Sequence, residues 1–420
     1  MISGTQLLPL LIGAAIGVGG WMFGQRQGGS VDASVIQGIE NQLRIAQEEI
    51  EILTDENESL RSLAQGGGEV AVPAEMIAQV EKDYGLHFIS NPVVHRIATE
   101  ELGYRVEAAL ESRLGPQGMD DRQEAYRRIG WLRAEDNLLN QLAAVRSVGA
   151  VGWFDEQTGE AWVTDKFDLK NIPDQAAMLR LLVRVLLNQH FPPAPSYPGD
   201  DAARAREALH AGAASGAETR FYAASARGIG FVPMNDAGAA SRLLLALPDF
   251  IQGLTMFPVV EGKGLADTLF VKGIGEFSEG MRNAPANTFG IVLPGEDPRG
   301  GKIDFPEFPD EIYLQESAGY LGLRLWLSEM GDVGVAEEVA RGWMRDGYTL
   351  FADGDMSSGL LWDVEFESKE IADMFETAAK ERVSAMEQID GSRFFSVLRT
   401  SGNRVRFLNL AEAETLEAFR

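Results

Sequence analysis

The chain contains no cysteine and only four histidines, His87, His95, His190 and His210, among its 420 residues. Without thiols there is no disulfide, no thiolate nucleophile and no Cys-ligated zinc or iron–sulfur centre. The compartment stays open, because disulfide-free proteins occur on either side of a membrane. Positive charge is also scarce: 37 lysines and arginines stand against 63 acids, a formal net charge of -26. A surface of that sign repels phosphate backbones, which excludes nucleic acid as a partner. Phosphate and nucleotide loops are missing too. Gly228-Ile229-Gly230 and Gly273-Ile274-Gly275 lack the remaining glycine spacing of a dinucleotide loop, and Gly262-Lys263 lacks a phosphate-loop pattern. No G-x-S-x-G element occurs, and Ser215 reads as a small helical residue.

What is present begins with Leu7 to Gly24, an uncharged apolar run long enough, at ~18 residues, to span a hydrocarbon core. With no basic segment before it and no small-x-small site after it, residues 1–27 read as an uncleaved membrane anchor, a cleaved signal peptide being the rival. Gly13, Gly17, Gly20 and Gly24 share one face, suited to close helix pairing or simply common in membrane helices. Residues 31–65 then carry a heptad seam, with Ile36, Leu43, Ile50 and Asn57 at one core position and Ile39, Ala46, Leu53 and Leu60 at the other. That choice favours a parallel two-stranded coil, with Asn57 fixing register, and hence a homodimer. A lone amphipathic helix packed on the globular part is the alternative. Gly66-Gly67-Gly68 ends the run, and residues 72–420 form the globular part, divisible into lobes near residue 250.

The globular part opens with helical spacing from Val72 to about Gln141. His87 and His95 lie there without carboxylate-rich or histidine-rich stretches nearby, and both read as structural. VGWFDEQTGEAWVTD predicts a hairpin turning at Asp155 to Gly159. The next segment, AAMLRLLVRVLLNQHF, is apolar from 176 to 187 except at Arg180 and Arg184, which with Asn188 form one polar stripe on an otherwise buried helix. A Pro-rich loop, FPPAPSYPGDD, leads to a helix from about Ala202 to Ala226. Asp353-Gly354-Asp355 reads as a hairpin turn, and RFFSVLRTSGNRVRFLNL as a second hairpin.

VGWFDEQTGEAWVTD, LRLLVRVLLNQHF and DDAARAREALHAGAASGAETRFYA, in that order, resemble a family of bacterial and archaeal gluzincin-like metallopeptidases with a hairpin, HELxHALQDQHF and a downstream Glu-Gly-Asp-Ala. The likeness continues through FPVVEGKGLADTLF, NAPANTFGIVLPGE, ESAGYLGLRLWL and ARGWMRDGYTLF, about residues 75 to 415. Aligned on Gln189-His190-Phe191, the resemblance puts Arg180 and Arg184 where the family has zinc-binding histidines and Leu181 where it has the catalytic glutamate. Ala211 falls at the third ligand. A guanidinium offers no lone pair to a metal, so the resemblance implies a pseudopeptidase without catalytic residues, metal or cofactor.

These readings together predict an α+β protein, a mainly helical metallopeptidase-like domain with small antiparallel and mixed sheets, behind a membrane helix and a coiled coil. The expected function is non-catalytic: peptide or protein binding, or scaffolding, at the cell envelope, with the domain outside the membrane because the resembled family is commonly exported. The expected cleft comprises Arg180, Arg184, Asn188, His190 and His210. Arg180 and Arg184 either pair with internal carboxylates such as Glu207, Asp200 or Asp201, or bind an anionic ligand group. An enzyme with a relocated site is the competing class, and His210 keeps a displaced metal centre open.

Overall fold

A computed structural model describes residues 68–419 apart from 226–236, 297–298, 309, 330, 332 and 355. The anchor (7–24) and the heptad seam (31–65) lie outside the described residues. Among the described residues no helix is long and apolar enough to cross a membrane. Residues 67–420 form one compact unit of α+β class, mainly helical, with two small sheets.

Helix α1 (Ala74–Tyr84) leads to strand β1 (Val94–Ile97), followed by α2 (Thr99–Ile129) and α3 (Leu138–Ser147). Strand β1 falls inside the stretch whose spacing reads as helical, between two of its helical runs. Its four residues pair in parallel with β3 (Ala161–Thr164), which is itself antiparallel to β2 (Gly152–Phe154). The predicted hairpin is therefore present, inside a mixed three-stranded sheet of order β1-β3-β2. Its turn is built locally: Asp155 N–H donates to the Glu160 carbonyl, Gly159 N–H returns to the Asp155 carbonyl, and the Asp155 carboxylate accepts from Gln157 N–H. Gly159 sits at φ 74°, a conformation that side-chain-bearing residues rarely adopt.

The striped segment forms α4 (Ile172–His190), with Pro173 in its first turn, and it buries Ala176 to Leu179 and eleven residues in all. It packs against α5 (Asp200–Ser225), which starts two residues earlier than expected. The stretch from α6 (Ala237–Ala246) through α7 (Asp249–Phe257) enters a single π turn, Pro258–Gly262, before α8 (Lys263–Lys272). There α5 comes close: a Cβ at Gly212 would lie 2.2 Å from the Gly262 carbonyl carbon, and one at Gly262 would lie 2.1 Å from the Ala208 carbonyl oxygen. Only two glycines permit this approach.

Helices α9 (Ile274–Arg282) and α10 (Thr288–Val292) precede β4 (Ile312–Glu316), α11 (Gly319–Ser328) and α12 (Val333–Arg341). Strands β5 (Trp343–Ala352) and β6 (Ser358–Phe366), helix α13 (Lys369–Ile389), strands β7 (Phe394–Arg399) and β8 (Arg404–Leu410), and helix α14 (Ala413–Ala418) complete the chain. The strands make an antiparallel sheet of order β4-β5-β6-β8-β7, so both C-terminal hairpins are as predicted. One face joins the larger core with Trp131, Trp326, Trp362 and Phe375. The other is covered by Phe305, Phe308, Leu416 and Phe419. Both larger cores draw on residues before and after position 250.

Asp346 explains the Trp343-to-Tyr348 segment. Its buried carboxylate accepts from the indole N–H groups of Trp343 (3.0 Å) and Trp362 (2.8 Å), from Ser317 Oγ (2.7 Å), and from the backbone N–H of Ala318 and Gly319. A buried anion so fully donated to ties β5 and β6 to the start of α11.

Candidate functional site

Between the β2–β3 turn, α4, α5 and the loop 191–199 runs an open groove of about 1850 Å³. Arg180, Leu181, Arg184 and Asn188 of α4 line it, with Ala211 on the facing helix. His190 and His210 do not line it. His190 Nε2 lies 2.7 Å from the His87 carbonyl oxygen, which joins α4 to the loop after α1. His87 is otherwise exposed and lies 3.3 Å from Glu81, and His95 packs at a tilt against Trp162 with ring centroids 4.8 Å apart.

The two stripe arginines have carboxylate partners, but not those anticipated. Arg180 is 3.6 Å from Glu218, in a half-exposed pair that contributes little. Arg184 donates to Glu156 at 2.6 Å. Glu207 instead meets Arg146 (3.1 Å), while Asp200 and Asp201 serve the base of α5. The reason lies in the turn: the hairpin places Glu156 over α4, beside Arg184. Asp200 is buried and accepts from Arg122 Nε (2.8 Å), Tyr126 (2.9 Å) and Tyr197 (2.6 Å). Asp201 accepts from the Thr288 hydroxyl at 2.6 Å. Burial pushes its carboxyl up to about 7, Thr288 opposing and Asp346 adding to the shift.

Glu156 is the electrostatic centre of the groove. Burial alone would raise its pKa, but Arg184, Arg206, Arg113 and Arg146 together hold it below the ordinary carboxylate range. Arg206 donates to His210 Nε2 (2.7 Å), and at 3.5 Å to Asn188 Oδ1. Since guanidinium cannot accept, that ring nitrogen must, and His210 is neutral. Burial, then Arg206 and Arg184, drive its pKa well below 6.5. The lone pair a displaced metal would need is thus occupied. Among the described residues, no group of three His, Cys, Asp or Glu side chains is placed to hold a metal ion.

Arg113 and Arg206 lack a carboxylate within ion-pair distance among the described residues. Arg113 lies over the Tyr197 ring at 5.2 Å. The Nε atoms of Arg184 and Arg206 are buried without a hydrogen-bond partner. Counting all linings, seven lysines and arginines face five aspartates and glutamates, the reverse of the balance of the chain. Arg113, Arg146, Arg206 and Glu156 escaped the sequence reading because each sits on a different element or in a turn. The one available signal was Glu156 at the tip of the predicted hairpin.

A second, smaller pocket of about 270 Å³ adjoins the groove and shares Arg113, Arg146, Tyr197 and Ala211 with it; Leu110, Leu114, Met119, Leu138 and Leu142 supply apolar wall. The site can therefore hold an anion beside an apolar group. No protein-family model, no curated protein and no solved structure matches this chain.

Proposed function

We propose that the chain is a membrane-anchored, catalytically silent relative of gluzincin-like metallopeptidases that binds a peptide or a protein segment in the groove between α4 and α5, at the outer side of the membrane. The observation that carries this reading is the reversed charge of the groove. In a chain with a net charge of -26, this large groove is lined by an excess of cations. Arg180 and Arg184 stand where the resemblance puts zinc-binding histidines, and each is tied to a glutamate. Leu181, at the place of the general base, is buried and cannot take a proton. The uncharged run 7–24 supports an anchor, and the seam through Ile36, Ile39, Leu43, Ile50, Leu53, Asn57 and Leu60 supports a parallel homodimer.

The test uses the full-length protein in detergent. Metal analysis is expected to find no stoichiometric zinc. Calorimetric titration with short unstructured peptides is expected to show saturable binding, weakened in Ala211→Trp, whose indole would project into the groove between α4 and α5. Stoichiometric tightly held zinc together with peptide hydrolysis would overturn the reading in favour of a relocated metal centre.

A further inference from the structure

We infer that the ligand enters as a peptide C-terminus with an apolar last residue, its α-carboxylate received by Arg113 and Arg206 and its last side chain by the adjoining small pocket. This rests on the peptide-binding reading above and specifies it.

Three observations converge on that ligand. First, Arg113, Arg146, Arg184 and Arg206 line the groove together with Glu156, which among the described residues Arg184 alone bonds, and Glu207 partners Arg146. Two positive charges remain uncompensated, enough to receive an anion without displacing Glu156. Second, Arg206 is half-buried, its Nε is enclosed without a partner, and its Nη atoms bond only neutral acceptors, His210 and Asn188, so among the described residues its charge meets no carboxylate and each Nη keeps a second hydrogen for a ligand. Guanidinium groups bind carboxylates through two parallel hydrogen bonds, and such a pair is strongest where water is thin. Third, the adjoining pocket, whose wall is mostly apolar although Arg122, Arg204, Asp200 and Glu207 also reach it, shares Arg113 with the groove. A carboxylate and an apolar side chain only a few bonds apart occur together at the C-terminal residue of a peptide. In the middle of a chain, neighbouring side chains of an extended segment point to opposite faces. Capture of a terminal carboxylate is also an established way of recognising peptide ends.

The probes are a pentapeptide of four alanines closed by leucine, as free acid and as amide, the same acid closed by asparagine, and inorganic phosphate. Each is titrated calorimetrically into the full-length protein. The free acid should bind, and the amide should bind roughly tenfold more weakly, as loss of a charge-assisted bidentate contact implies. The asparagine form should also lose affinity. In the double variant Arg113→Gln/Arg206→Gln, the acid and amide should become equal. If that variant fails to fold, Arg113→Gln alone serves, because its guanidinium holds no ion pair among the described residues. Glu156→Gln should act in the opposite sense and tighten the acid. Equal binding of acid and amide would overturn this inference and leave peptide binding standing. Binding of neither peptide would sink both. Phosphate binding as tightly as the free acid would show a general anion site and overturn the peptide terminus.

Discussion

Glu156 is the resident anion of a site with more cation than it can neutralise. Replacing it by glutamine leaves Arg184, Arg206, Arg113 and Arg146 facing one another, and the free protein should lose roughly 2 kcal/mol in urea unfolding. A bound carboxylate should return most of that, so the ligand-induced rise in Tm should be larger in Glu156→Gln than in the parent. Deeper in, two buried groups work against each other as pH changes. Asp201 titrates near 7 in the folded chain, above the 3.8 of an exposed aspartate. Its folded form holds a proton that the unfolded form has released, so its contribution is lost as pH rises from about 4 through 7. His210 is shifted down. The unfolded chain takes up a proton there below about 6.5 that the folded chain refuses, so stability falls as pH drops through that value. Asp201→Asn removes the first effect only. The Tm of the variant relative to the parent should therefore climb between pH 5 and pH 8 in thermal scans; a difference independent of pH would remove this assignment.

At the scale of elements, the contact of α5 with the π turn decides how wide the groove can be. Ala211 faces the groove beside Gly212, and Val259 lines it from the π turn. Gly212→Ala would drive a methyl group into the Gly262 backbone, which cannot swing aside as a side chain can. A loss of roughly 3 kcal/mol in unfolding, the upper end for overpacking, should come with weaker peptide binding, while Gly264→Ala, in open space, should change neither. Elements whose cause is local were readable in the sequence: the Asp155–Gly159 turn, both C-terminal hairpins, and α4 with its two arginines. Strand β1 was not, because its four residues gain their pairing only from β3, more than sixty positions on. The site divides the same way. Arg180, Arg184 and Asn188 were visible through their spacing on α4 and Ala211 through the resemblance, whereas Arg113, Arg146 and Arg206 look like ordinary solvated positions until four elements meet. The carboxylate partners were misjudged for the same reason: Glu156 is as near α4 in sequence as Glu207, but only the fold-back of the hairpin over the helix brings it to Arg184.

At the scale of the molecule, an acidic chain with a cationic groove should treat an anionic ligand differently at long and at short range. Far away, the net charge of -26 repels it; within a few ångströms, the arginines attract it. The Debye length is about 10 Å at 0.1 M salt, so added salt screens the distant surface before it reaches the partly buried pocket. The association rate of the free-acid peptide should rise with ionic strength up to that range, and stopped-flow measurement at constant peptide concentration checks it. A rate that falls steadily would mean that the outer surface near the groove is not acidic. The outer face of the five-stranded sheet has a different dependence, on chain order. Phe305 and Phe308 precede the strands, but the rest of its cover follows them: Phe419 packs on Phe351 and Phe308, Arg406 donates to the Phe419 carbonyl at 3.1 Å, and Thr415 bonds Asp353 at 2.6 Å. During synthesis β5, β6 and β8 emerge from the ribosome before that cover exists, so this aromatic face is offered to chaperones, or to another nascent chain, until residues 413–419 arrive.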